Sequence, residues 1–180
     1  MTDELQRLQE KLPLFEQWID ELLARHRAEA VPVASLSFAR LGRFYLPDTL
    51  ESSRVVRVDR VPTPPLTSMG LPGFSEFENM DASGITYRDT FFVEQSVADD
   101  ESLHFHELVH VVQWRVLGAR NFLLAYAAGL ATPEGYASNP LEVIAYGLQE
   151  QFERGTVFRA EPVIEQHLRA EAPALLANFR

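Results

Sequence analysis

The pentapeptide His106-Glu107-Leu108-Val109-His110 constrains this chain more than any other stretch. On a helix, residues four apart lie one turn apart on the same face. Two imidazoles so placed can share one metal ion, and the glutamate beside them can reach a water molecule at that ion. The neighbours Leu103, Val109, Val111, Val112 and Trp114 are apolar and would bury the helix. Two imidazoles and a carboxylate are costly among such residues unless something pairs with them. One zinc ion, Zn2+, removes that cost.

Zinc ordinarily takes three protein ligands in a site that keeps a position open. The chain has no cysteine, so the third ligand must come from His, Asp or Glu, and disulfides are excluded. His104 lies two residues before His106, on roughly the opposite helix face. His26 and His167 lie in helical segments without a supporting motif. Glu142 is the better choice, with Glu134 as the alternative. A helix, a loop and a returning helix can bring Glu142 back to the two histidines. The competing reading is that Glu142 only completes a capping arrangement with Asn139.

Around this pair the pattern is legible in parts. Residues 3–29 carry Phe15, Trp18, Ile19, Leu22 and Leu23 at helical spacing, with Pro13 starting a second helix after a short first turn. From 31 to 80 the prolines break any long helix, and 33–38, 44–46 and 54–61 read as short strands. Residues 81–84 form a turn before a strand at 85–93. Asp99 or Asp100 caps a helix over 101–117 that Gly118 closes, and a second apolar helix covers 119–130. Asn139 and Pro140 open a helix to about 152, and 161–170 is one more. Helices, short strands and helices again imply an α+β fold with a small mixed sheet packed on the HELVH helix. The expectation is a single domain over 1–180, with an N-terminal helical segment at 1–30 and a metal-site core at 85–153.

The formal net charge is −10 and the 16 Lys and Arg are scattered, so nucleic acid is a poor partner and anionic membrane surfaces repel the chain. The longest apolar run, 122–131, is too short for a membrane-spanning helix, which needs about 20 residues. The N-terminal stretch is charged where a secretory signal has an apolar core, which points to a cytoplasmic location.

HELVH with a downstream helical glutamate resembles the gluzincins, the thermolysin-like zinc metallopeptidases. GITYRDTFFV, HELVHVVQWRVLG and GYASNPLEVIAY also resemble small bacterial zincin-like proteins, over about 84–149. The resemblance implies that His106, His110 and Glu142 hold zinc and that Glu107 activates water. It implies a peptide or protein substrate lying along the 85–93 strand as an added strand. An oxyanion donor is also expected, with Tyr136 first and Tyr126 or Tyr146 as alternatives. The chain departs from the pattern where an Asp often follows the ligand Glu by four residues: Tyr146 stands there. The orienting partner of His106 must therefore differ. Gln113 and Trp114 read as structural. Only about 38 residues follow Glu142, so the cleft is expected to be shallow, completed by a protein partner or covered by residues 1–30. A zincin scaffold that holds zinc and a partner without catalysis is the alternative function.

Overall fold

The computed structural model describes residues 3–179. Met1, Thr2 and Arg180, which the 1–180 domain expectation includes, lie outside the described residues. The elements in chain order are α1 (Asp3–His26), β1 (Val31–Pro32), α2 (Pro47–Ser52), β2 (Arg54–Val58), α3 (Ser75–Glu78), β3 (Gly84–Tyr87), β4 (Thr90–Glu94), α4 (Glu101–Leu130), α5 (Pro140–Glu153) and α6 (Ala160–Leu175). The architecture is α+β. The strands form one mixed sheet in the order β1-β2-β4-β3, with β2 parallel to β4 and the other pairs antiparallel.

α4 sits at the centre. Every residue from His104 to Trp114 is buried, so this segment is covered on all sides. It packs on α5, α6, α1 and β3. The Asp100 side chain caps it by accepting from Ser102 N at 2.9 Å. At Gly118 the backbone leaves the helix with φ 74° and ψ 159°, a conformation that only glycine adopts freely. The expected break between two helices is therefore present as a kink.

Four sequence expectations give way. α1 is one helix through Pro13, not two. Pro13 is exposed, while Leu8, Leu12, Phe15, Ile19 and Leu22 pack inward, and that burial outweighs a loss of about 3 kcal/mol for an internal proline. The pieces at 33–38 and 44–46 are not strands. Residues 33–35 and 41–43 form 3-10 turns, and the Glu101 carboxylate fixes the second by accepting from Arg40 N and Leu41 N. Residues 54–61 supply a strand only to Val58.

The expected single strand at 85–93 is a hairpin. Tyr87 pairs with Thr90 across Arg88 and Asp89, and Arg88 takes a positive φ of 60°. The polar break in ITYRDTFFV is thus the turn. β3 becomes the sheet edge facing α4, and β4 lies inside. Among the described residues no helix is long and apolar enough to cross a membrane.

Candidate metal centre

α4 and α5 bring His106, His110 and Glu142 together. The Nε2 atoms of the two histidines lie 3.1 Å apart. Each is 3.3 Å from one Glu142 oxygen, His106 from Oε2 and His110 from Oε1. All three residues are buried, at 5, 5 and 3% exposure. Asn139 starts α5 by accepting from Leu141 N at 3.1 Å, and this places Glu142 in the first turn, aimed at α4. Capping is the work of Asn139, so Glu142 is left free to face the histidines.

The outward nitrogens explain why the inward ones converge. His106 Nδ1 meets Gln149 Oε1 at 3.0 Å, and His110 Nδ1 meets Gln113 Oε1 at 2.8 Å. The amide groups are themselves fixed: Gln113 Nε2 donates to Leu141 O, and Gln149 Nε2 donates to Ser102 Oγ. An amide oxygen only accepts, so each Nδ1 carries the proton. In the neutral imidazoles both Nε2 lone pairs then point at each other and at a carboxylate. Glu142 Oε2 is buried without a hydrogen-bond partner among the described residues. Three lone pairs facing one another are unfavourable until a cation stands between them.

The spacing fits zinc. Tetrahedral ligands about 2.0 Å from zinc lie about 3.3 Å from one another. The observed separations of 3.1, 3.3 and 3.3 Å match that edge. His, His and carboxylate are also a donor set that zinc accepts. Without a metal ion, a proton on His110 meets part of the same need. Burial pushes the His110 imidazolium down, but the Glu142 carboxylate more than offsets it and raises His110 to about 9. Burial likewise raises Glu142, and the two histidines more than offset that, holding its carboxyl well below the usual range.

Glu107 lies on the same turn of α4. Its Oε2 accepts from Thr86 Oγ1 at 2.6 Å, and a Cβ on Gly84 would collide with its carboxylate. Gly84 therefore lets the edge strand press against this acid. Burial raises the Glu107 pKa, opposed by the charges of His106 and His110 and by the Thr86 hydrogen bond. A carboxylate raised in this way is better matched to moving protons near neutral pH.

The tyrosines take separate places. Tyr126 donates to Glu142 Oε1 at 2.6 Å and so orients the ligand carboxylate. Tyr136 and Tyr146 put their hydroxyls 3.4 Å apart, and the Tyr146 ring lies 4.5 Å from that of His106. Tyr136 lines the same cleft as His106, Glu107 and Glu142. Glu134 is exposed, and the group able to hold a metal does not include it. His104 is buried on the far face with Nε2 on Ala98 O, as its spacing requires. His26 bonds Glu29 at the surface.

Sequence reasoning missed Gln149 and gave Gln113 a merely structural part. Gln113 follows His110 by three residues, and that spacing could have paired them. Gln149 follows Glu142 by seven, two turns along the same face of α5. It takes the place expected of an acid at position 146.

The cleft wall is not left to the residues after Glu142 alone. α1 contributes Leu8 and Phe15 to its wall, and the loop 62–80 contributes Leu66, Phe74, Phe77 and Met80. The outer edge of β3 is also partly engaged, because Trp114 Nε1 donates to Thr86 O at 3.2 Å.

Comparison with known proteins finds no matching family, no matching curated protein and no matching solved structure.

Proposed function

We propose that this chain is a zinc-dependent metallopeptidase of the gluzincin type. The observation that carries the reading is the convergence of His106 Nε2, His110 Nε2 and the Glu142 carboxylate, with Glu107 on the same helical turn as the histidines. A bound zinc ion supplies a Lewis acid that polarises a carbonyl and lowers the pKa of water. Glu107 takes a proton from the attacking water and delivers it to the leaving amine. Thr86 holds the Glu107 carboxylate in place for both transfers. Tyr126 and the two glutamines hold the ligands in register. Tyr136 supplies a phenol donor at the cleft for the developing oxyanion, and its partner Tyr146 keeps it near.

Glu107→Gln tests the reading. It keeps the shape and removes the base, so zinc stays bound while peptide cleavage falls by about 10²–10⁴. Unchanged cleavage in that variant sinks the role. Full zinc occupancy with no cleavage of any peptide by the native protein would favour the non-catalytic scaffold.

A further inference from the structure

The cavity bordered by His106, Glu107, His110 and Glu142 is closed: none of the residues lining it is exposed. Its volume is about 70 Å³, room for a few water molecules. A peptide spanning a scissile bond does not fit there. For the proposed reaction part of the wall must move, and the ties of each part say which.

Most of the wall is fixed. α4 and α5 carry the ligands themselves. β3 is paired along its length with β4. α1 is pinned by six buried apolar residues, from Leu5 to Leu22, and by the ion pair of Asp20 with Arg88 at 2.6 Å. The loop 62–80 is different. It supplies Leu66, Phe74, Phe77 and Met80 to the wall, where they border a void instead of packed core, so fewer contacts hold them.

This loop is also built as a body of its own. Thr63 Oγ1 donates to Glu78 O at 2.8 Å and draws its two ends together. Inside it the Glu78 carboxylate accepts from Thr67 N and Oγ1, and Leu71 N donates to Leu66 O. Its form is that of an Ω-loop, a compact segment with adjoining ends. Both ends meet β3: Tyr87 OH donates to Pro62 O at 2.8 Å, and Gly84 begins the strand. Among the described residues a single hydrogen bond joins 63–80 to the rest of the chain. Gly73 N, near the middle of the loop, donates to Glu4 Oε1 at 2.6 Å. On the outer side a second cavity, of about 250 Å³, is lined again by Phe74, Phe77 and Met80, with the exposed Gly73 and Glu76. One layer of side chains therefore separates the surface from the metal centre.

We propose that residues 63–80 form a lid over the metal centre, hinged where it meets β3 and latched to α1 by Glu4. The inference rests on the hydrolytic reading above and adds the step that admits substrate. Opening joins the inner and outer cavities into one cleft. Closing shuts Glu107 and the three ligands away from bulk water.

The chain has no cysteine, so an introduced thiol is the only one present. Ala127 is buried in the cavity wall, and the rate at which iodoacetamide labels Ala127→Cys in metal-free protein reads how often the lid opens. Adding Glu4→Ala should raise that rate about tenfold, as for loss of a hydrogen bond to a charged group. Glu4→Gln, which keeps an acceptor, should bring it back towards the slow value. Labelling as fast as in unfolded protein, or indifferent to both Glu4 variants, overturns the proposal. A lock reads the reaction. Glu4 Cγ lies 2.5 Å from where a Cβ on Gly73 would stand, so cysteines at the two positions are within disulfide reach. Zinc-loaded protein with Glu4→Cys and Gly73→Cys should cleave peptides at least tenfold more slowly oxidised than reduced. The labelling result stands whether or not this pair folds. Equal cleavage in the two redox states overturns the lid and keeps the hydrolytic reading. No cleavage in either state, with labelling that follows Glu4, overturns the hydrolytic reading and keeps the lid.

Discussion

α4 with α5, and the stretch from 31 to 83, meet at one cleft but are built in opposite ways. The helices carry the ligands on periodic, fully buried faces, and each ligand is held by a neighbour from α4 or α5: Gln113, Gln149 or Tyr126. The 31–83 stretch is mostly irregular, and long-range hydrogen bonds fix it. Glu101 holds Arg40 and Leu41, Glu4 holds Gly73 N, and Glu78 holds Thr67. The difference teaches a division of labour. Rigid helices set the geometry of the His106, His110 and Glu142 group, while tethered loops line the cleft beside it.

Gln149→Ala should break the helical half most. It releases His106 from its tautomer and orientation, and zinc affinity should fall about 10–100-fold. A competition titration against a chelator reads this, and an unchanged affinity would show that the amide does not orient the ligand.

Protons compete for the same atoms. His110 sits at about 9 in the metal-free protein, so it is protonated at pH 7, and zinc must displace that proton. Apparent zinc affinity should rise about tenfold per pH unit between 7 and 9. The stability follows the sign of each shift. The raised His110 stabilises the metal-free fold fully below about pH 6.5 and loses that contribution as pH rises through about 9. The depressed Glu142 contributes above about 4.5 and loses its contribution as pH falls through its lowered value. Melting temperature of the metal-free protein should therefore drop between pH 7 and 9.5, while zinc-loaded protein holds level there. A flat profile without metal would contradict the coupling of His110 to Glu142.

Glu78→Ala should have the smallest effect and sharpen the contrast. It removes the tie between Thr67 and residue 78 within the loop 62–80, so proteolytic nicking there should quicken. Zinc affinity should not change. A weakened affinity would mean that the loop shares in holding the metal.

The same contrast explains what could be read from the chain alone. HELVH, the Asn139-Pro140 cap and Gly118 are local signals, and α4, α5 and the kink follow from them. Glu142 was readable because its cap fixes where the first turn of α5 begins. Gln149 was not, because seven residues after Glu142 it gains meaning only when α5 lies against His106. The pieces at 33–38 and 44–46 have strand-like composition, yet the chain turns at 41–43, where Glu101, some 60 residues away, accepts from Arg40 N and Leu41 N. ITYRDTFFV looked like one strand because β-branched and aromatic residues flank a turn of only two residues.

Zinc content per chain tests the central claim most directly, measured by elemental analysis of native protein, His106→Ala and Glu142→Ala after equilibration with a small excess of zinc and desalting. One equivalent in the native protein, lost from both variants, is the predicted result. Zinc retained in both variants, or absent from all three, would contradict a centre made of His106, His110 and Glu142.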